Sequence, residues 1–304
     1  GSDKPDLRID LEVQDITAEV QGCEFGPFQN ATVTIKDAEI LIPELDARQN
    51  ATINVIDSIV HDAGGNSIVK SYYNGAININ NSTVDTMQLT TMGYITVTNN
   101  AELTATWQTN VYGNGLITVS DGATLNTAAL HLTGQDYSGR DNTDDDRVGM
   151  PATIVVDGAT LNVGTNVYSS GNADYNYNSS KGINIGTMAG TSGLLDIKNK
   201  STATILAANG ETIKVGVNGT VNVTGDSTLT VGTRGNGAAI FTNEGVITIN
   251  NSTLDADTLN NVGGVLNVID STLEDISISG AVANKTPYVY ASGSTLKNVH
   301  VTGQ

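Results

Sequence analysis

The sequence predicts an all-β fold, a parallel β-helix solenoid in which short strands stack into roughly 11 to 12 coils. Composition is the first indication, because glycine contributes 33 of 304 residues and Thr, Asn, Ser and Val are abundant, whereas helix-forming runs are few. A repeated motif is the second, since Asn251-Ser252-Thr253-Leu254 recurs 19 residues later as Asp270-Ser271-Thr272-Leu273. Similar motifs recur along most of the chain, which is the signature of a solenoid.

Ten strands are predicted in chain order from pairs of apolar residues separated by one residue, because such pairs share one face of a strand. A turn rich in Asn, Asp, Gly and Ser follows each strand, and Thr and an apolar residue usually come next. Most intervals between strands are 18 to 26 residues, and two longer intervals require insertions or further strands. The second apolar residues of the pairs, which we call anchors, are Ile35, Val55, Ile79, Val97, Val119, Val155, Ile197, Val223, Ile249 and Val268.

One stretch predicts a complete coil. Three short strands, 213–215, 221–223 and 229–231, are joined by tight turns and form one turn of a triangular helix. Because one coil cannot bury its apolar residues alone, successive coils must stack in parallel register.

The repeat at residues 152–161 departs from the pattern. Aligning it with the other repeats by its turn places Thr153 rather than Ile154 on the inner face, so we expect a bulge or a one-residue shift there.

The predicted organisation is one solenoid with additions. Residues 1–29 are expected to hold a cloning remnant, Gly1-Ser2, and edge strands that cap the solenoid, and residues 30–304 form the parallel β-helix itself. Insertions are predicted at 134–151 and 166–182. No capping segment is visible after His300, so we expect the chain to be part of a longer protein.

Charge and apolar content limit the classes of partner. A net charge of −18 repels phosphate backbones, so nucleic acid is not expected as a partner. No apolar stretch reaches the roughly 18 residues that a membrane-spanning helix needs, so direct membrane insertion by this segment is not expected. The single cysteine, Cys23, cannot form an intramolecular disulfide, and the fold must be held by packing and stacking.

The repeats resemble a known group of proteins. Motifs such as Asp121-Gly-Ala-Thr-Leu125 and Leu229-Thr-Val-Gly-Thr233 fit the patterns I-x-V-x-[ND]-x-[SA]-T-[LV] and [LI]-x-[VI]-G-T. In these motifs the chain resembles the right-handed parallel β-helix proteins of the pectin-lyase-like superfamily, and in composition the passenger domains of autotransporter adhesins, over roughly residues 30–304. The resemblance implies a secreted or bacterial cell-surface protein that either presents an adhesive face or cleaves polysaccharide.

The first insertion contains the densest group of charged residues. Carboxylates in this acidic loop could bind calcium through their oxygens, and no other cofactor is expected. The residues expected to bind calcium are Asp141, Asp144, Asp145 and Asp146. Beside them, the residues expected to contact a ligand are Tyr137, Arg140 and Arg147.

The second insertion contributes Tyr168, Tyr175 and Tyr177 among Ser, Gly and Asn, a composition typical of adaptable contact surfaces. The two insertions therefore predict a non-catalytic, adhesin-like module that binds a glycan or a protein of the host or extracellular matrix. The alternative is a polysaccharide lyase or a glycoside hydrolase, with Asp255 and Glu274 at matching positions of the last two repeats as a candidate carboxylate pair. A structural stalk is the third interpretation.

Overall fold

The structure is a computed structural model that describes residues 10–14, 17–19, 30–62, 67–133, 150–164, 183–187, 192–207, 212–233, 240–256, 258–274, 276–279 and 287–302. These residues form strands and turns and include no helix, so none of them could cross a membrane as a helix. The strands form three faces, and every strand pairing within a face is parallel. The predicted all-β parallel solenoid is confirmed.

The first face is a 12-stranded sheet, and each of its strands opens one coil. The coils are numbered below in this order. The strands are β1 (Asp10–Gln14), β3 (Thr32–Lys36), β6 (Thr52–Ile56), β9 (Ala76–Asn80), β11 (Tyr94–Thr98), β13 (Leu116–Ser120), β16 (Ala152–Asp157), β19 (Gly193–Lys198), β22 (Gly219–Thr224), β25 (Val246–Asn250), β28 (Val265–Ile269) and β31 (Tyr288–Ser292).

From the second coil onward, the second face follows the first after a short turn. Two of its strands are long and continue around the next corner onto the third face. The strands are β2 (Thr17–Glu19), β4 (Glu39–Ile42), β7 (Ile59–Asp62), β10 (Thr83–Thr91), β12 (Glu102–Val111), β14 (Thr124–Thr127), β17 (Thr160–Val163), β20 (Thr202–Ala207), β23 (Thr228–Thr233), β26 (Thr253–Ala256), β29 (Thr272–Glu274) and β32 (Thr295–Lys297).

The third face closes each triangle. It includes the second halves of β10 and β12, which pair with the neighbouring third-face strands. Its other strands are β5 (Glu44–Arg48), β8 (Ile68–Tyr72), β15 (Leu130–Leu132), β18 (Ile183–Ile185), β21 (Thr212–Val215), β24 (Ile240–Asn243), β27 (Thr258–Asn261), β30 (Ser277–Ser279) and β33 (His300–Thr302).

The core is one continuous stack of apolar side chains, mostly aliphatic, from all three faces. Along first-face strands such as β3 and β6, buried residues alternate with partly exposed ones, as the predicted period of two requires. The anchors Ile35, Val55 and Ile79 lie directly opposite one another in successive coils and are fully buried. The proposed coil of residues 213–231 is also confirmed, because its three strands lie on three different faces.

One predicted anchor, Val155, is wrong. Val119 pairs with Val156, and Ile154 and Val156 are fully buried whereas Val155 is partly exposed. The register along β16 contains no bulge; the shift arises in the turn that follows the strand. Four residues, 120–123, separate Val119 from β14, whereas three residues, 157–159, separate Val156 from β17. Aligning the two repeats by their turns therefore displaced the inward residues by one.

The first corner uses two kinds of turn with different backbone conformations. Three-residue turns have one residue in the left-handed region, as at Asp57 with φ 48°. Four-residue turns have two such residues, as at Asn99 and Asn100 with φ 55° and 61°. Asn and Asp adopt this conformation more readily than other residues with a side chain, which explains their recurrence at this corner.

Serine occupies the last position of many of these turns and connects adjacent coils. The backbone N–H of Ala38 donates to Ser58 Oγ at 3.1 Å, and the N–H of Ser58 donates to Ser82 Oγ at 3.0 Å. The same bond recurs where serine returns, from Ser201 N–H to Ser227 Oγ for example. These serines are buried, so the Ser-Thr-Leu part of the repeated motif belongs to the scaffold.

Candidate functional site

The ten side chains predicted to bind calcium or a ligand all lie outside the described residues. Their roles therefore remain predictions. They are Tyr137, Arg140, Asp141, Asp144, Asp145, Asp146, Arg147, Tyr168, Tyr175 and Tyr177. Within the part of the chain that the structure describes, no group of three or more His, Cys, Asp or Glu side chains could hold a metal ion.

The described strands nevertheless fix where both insertions enter the solenoid. Residues 134–149 follow β15 and precede β16, and residues 165–182 lie between β17 and β18. Strands β15 and β18 are hydrogen-bonded neighbours on the third face. The first insertion therefore begins beyond the C-terminal end of one third-face strand, and the second ends at the N-terminal end of the next.

Each insertion interrupts a corner that has a standard length elsewhere. Without 134–149, the three residues Thr133, Met150 and Pro151 would connect β15 to β16, and three residues, 216–218, connect β21 to β22. Without 165–181, Gly164 and Gly182 would connect β17 to β18 as 128–129 connect β14 to β15. Because the flanking strands keep their register, both insertions are additions to a complete coil.

The outward side of the third face between the insertions is polar. Asn110, His131 and Asn184 occupy equivalent positions of three successive coils. Asn184 Nδ2 lies 3.2 Å from His131 Nδ1, within hydrogen-bonding distance. Asn110 is almost fully buried although it points outward from its strand, so it offers no open surface for a ligand.

Outward ladders of Thr and Asn cover much of the first and second faces. The Asn side-chain amides hydrogen-bond from one coil to the next. Asn78 Nδ2 donates to Asn54 Oδ1 at 3.0 Å, and Asn162 Nδ2 donates to Asn126 Oδ1 at 2.9 Å. Such stacking accounts for the repeated polar residues without a ligand. On the second face, threonine occupies equivalent positions of successive coils at Thr124, Thr160, Thr202, Thr228, Thr253, Thr272 and Thr295.

The carboxylate pair proposed for the enzyme alternative is adjacent in register. Asp255 lies opposite Glu274 in neighbouring coils of the second face, and Lys297 lies opposite Glu274 in the next. The predicted matching positions are confirmed, and Asp255 is exposed. Stacking of repeats produces such an alignment without a catalytic role.

The sequence did not predict the largest charged group among the described residues. It lies on the outward side of the third face, where β5 and β8 pair, with Asp46 opposite Lys70 and Arg48 opposite Tyr72. The sequence does contain a sign of this group, because three charged residues alternate with apolar ones along β5. We call this group the charged cluster, and its members are Glu44, Asp46, Arg48, Lys70 and Tyr72.

The charged cluster is an ion-pair network that is largely removed from water. Lys70 Nζ contacts Glu44 Oε1 and lies 3.2 Å from Asp46 Oδ2, and Arg48 Nη2 contacts the same Asp46 oxygen. The Arg48 guanidinium also lies over the Tyr72 ring, 5.7 Å from its centroid. The Asp46 side chain is 1% exposed, whereas those of Glu44 and Lys70 are each 14% exposed.

Burial and charge act against each other on Lys70. Burial alone would lower the pKa of the Lys70 ammonium, but the Glu44 and Asp46 carboxylates outweigh it and the pKa is raised. The two carboxylates therefore favour the charged form of the amine in the ion-paired cluster. Two carboxylates and two cations leave the cluster without net charge, so it does not attract a charged ligand.

Burial of Tyr72 predicts a loss of stability at alkaline pH. Burial raises the pKa of the Tyr72 phenol above its usual 10.0, so the folded protein binds this proton more tightly than the unfolded chain does. The contribution of the Tyr72 phenol to the free energy of unfolding is complete below about pH 10, which is its pKa in the unfolded chain. This contribution is lost as pH rises through the higher pKa of the folded protein. We expect the free energy of unfolding to fall less between about pH 9 and about pH 11 in Tyr72→Phe than in the parent, measured by urea denaturation. An equal fall in both proteins would contradict the prediction.

Comparison with known proteins finds no matching family, no similar curated protein and no similar solved structure. Function must therefore be inferred from the residues and their geometry.

Proposed function

We propose that this chain is a non-catalytic, adhesin-like binding module of a secreted or bacterial cell-surface protein. In this proposal the parallel β-helix is a rigid support, and the insertions at 134–151 and 166–182 contact an extracellular glycan or protein. The resemblance to autotransporter passenger domains in the Thr/Asn/Gly-rich repeats supports the same proposal. A fold of this kind does not by itself select a function, so the support must come from particular positions.

The observation that carries the proposal is the placement of the insertion ends. The first insertion begins at the C-terminal end of β15 and the second ends at the N-terminal end of β18, so in neighbouring coils the two insertions flank the third face at its opposite edges. The strands that flank both insertions keep the register of the neighbouring coils. Segments added to a complete scaffold on either side of one face are typical of binding loops, because the scaffold positions them and does not need them.

The polar ladders support a non-catalytic role. General acid and base groups must converge on a substrate, with one of them placed to donate a proton. The outward Asn residues instead bond to equivalent residues of the next coil. In the charged cluster the carboxylates contact Lys70 and Arg48 and are largely removed from water, so they do not form an open pair that flanks a bound polysaccharide.

Excising the insertions is expected to abolish binding and to leave the fold intact. The variant lacks 134–149 and 165–181, so its corners match the lengths found elsewhere in the solenoid. Binding would be measured on a panel of extracellular polysaccharides and matrix proteins, and circular dichroism would verify the strand content and the melting transition. A folded variant that retains all binding would support a structural stalk and would contradict the proposal.

Turnover separates the proposal from the enzyme alternative. The intact protein would be incubated with the polysaccharide panel and calcium, and unsaturated and reducing ends would be measured. We expect neither product to form. Clear release of either product would favour a lyase or a hydrolase, and its loss in Asp255→Asn would assign the reaction to the second face.

A further inference from the structure

The charged cluster contains a buried carboxylate whose hydrogen bonds are incomplete. Asp46 carries a carboxylate whose side chain is only 1% exposed. Lys70 and Arg48 both lie within ion-pairing distance of its Oδ2, whereas Oδ1 has no hydrogen-bond partner among the described residues. A buried carboxylate without complete hydrogen bonding is costly, and the ladders elsewhere in the solenoid need no such group.

The same contacts bring together the parts of a condensation reaction. Lys70 Nζ lies 3.2 Å from an Asp46 carboxylate oxygen, and the two residues are directly opposite each other on paired strands. Glu44 contacts the same amine nitrogen and can accept a proton from it. Arg48 contacts Asp46 Oδ2, where it can stabilise negative charge on that oxygen. Fixed geometry and exclusion of water together favour the reaction of an amine with a carboxyl group.

We propose that Lys70 and Asp46 form an intramolecular amide bond that joins the second and third coils. A proton first passes from the Lys70 ammonium to Asp46 Oδ1, giving a neutral amine and a neutral carboxylic acid. Lys70 Nζ then attacks Asp46 Cγ, and the negative charge forms on Oδ2 beside Arg48. Glu44 accepts a proton from the nitrogen and delivers it to the departing Oδ1 hydroxyl. The Cγ–Oδ1 bond breaks, one water leaves, and an amide with one N–H remains.

Condensation relieves the burial of charge. It removes one cation and one anion together, leaving Glu44 and Arg48 as the charged members of the cluster. The amide is neutral, so the penalty for holding two charged groups away from water falls. No oxidant or other reactant is required, because water is the sole product besides the amide.

Mass spectrometry of the intact, denatured protein tests this proposal directly. The parent is expected to weigh one water less than its sequence, and peptide mapping is expected to find residues 46 and 70 joined. Asp46→Ala should restore the full mass for its sequence, and Asp46→Asn should lose ammonia instead of water. Lys214→Ala is a matched control, because Lys214 pairs with Glu244 on the same face, and it should retain the loss of water.

Two results would overturn the assignment. A parent mass equal to that of the full sequence, after prolonged incubation of the folded protein, would make the charged cluster an ordinary ion-pair network. A loss of water mapped to any other pair, including Lys70 with Glu44, would exclude Asp46 as the acceptor. Both results come from the parent protein, so they do not depend on whether a variant folds.

Discussion

Replacing Gly219 with alanine is expected to lower the free energy of unfolding by about 3 kcal/mol. Gly219 begins a first-face strand at the third corner, where the chain passes directly against the preceding coil. A β-carbon there would lie 2.2 Å from the backbone oxygen of Ile185 and 3.0 Å from Val215 Cγ1. The oxygen is part of the parallel hydrogen-bonding between coils, so relief requires the coils to separate locally. Gly75 and Gly115 meet equivalent carbonyls, of Ala47 and Thr91.

A second glycine provides the control for this prediction. Gly158 has φ +60°, and a β-carbon there would lie no closer than 3.6 Å to its nearest neighbour, Asn199 O. Asp57 and Asn81 occupy the same turn position in other coils with φ 48° and 45°. Gly158→Asn is therefore expected to change stability by less than about 1 kcal/mol. Urea denaturation of both variants checks the difference, and equal losses would contradict the close approach at the third corner.

Phe241→Ala is expected to lower the free energy of unfolding by about 4 kcal/mol. Among the described residues, Phe241 is the largest fully buried side chain, and it packs in register between Ile213 and Leu259 of adjacent coils. Removing the ring leaves a cavity that cannot collapse easily, because the backbones above and below are held apart by the pairing of strands at about 4.8 Å. The loss should be visible as a lower urea midpoint.

Phe241→Leu separates lost volume from a specific need for the ring. Leucine and isoleucine already occupy this position in adjacent coils, so this variant should lose only about 1 kcal/mol. Because solenoids can unfold in parts, hydrogen exchange of the amides in β21, β24 and β27 should accelerate most in Phe241→Ala. A loss of under about 1 kcal/mol in the alanine variant would contradict tight packing between the coils.

Much of the fold was predictable because one short pattern recurs with its turn. Alternating apolar residues identified the first face from Ile35 to Val268, and register confirms these anchors apart from Val155. That error has a simple physical cause. The first corner accepts turns of three or four residues, which differ in the number of left-handed positions, and turn composition alone does not distinguish their lengths.

The charged cluster was missed because the sequence gives no register for the third face. Glu44, Asp46 and Arg48 alternate along one strand, which indicates a shared side. Their pairing with Lys70 depends on the lengths of two corners and of the intervening coil. Alternation therefore predicts which residues share a strand face, whereas contacts between coils require the stacked structure.

The repeated Asn-Ser-Thr and Asp-Ser-Thr motifs have a structural explanation in every part. Asn251 and Asp270 adopt left-handed turn conformations, and the N–H of Ser252 donates to Ser271 Oγ at 3.2 Å. Thr253 and Thr272 continue the threonine ladder of the second face. Function at particular side chains should therefore lie where the repeat is interrupted.

The most direct test compares three proteins for binding to the strongest ligand found on the panel. They are the parent, the variant lacking 134–149 and 165–181, and a ladder variant that carries Asn78→Ala and Asn162→Ala. We expect the ladder variant to bind as the parent does and the excised variant, with its strand content preserved, to lose binding. Full binding by the excised variant together with lost binding by the ladder variant would contradict the account and would assign function to the repeated faces.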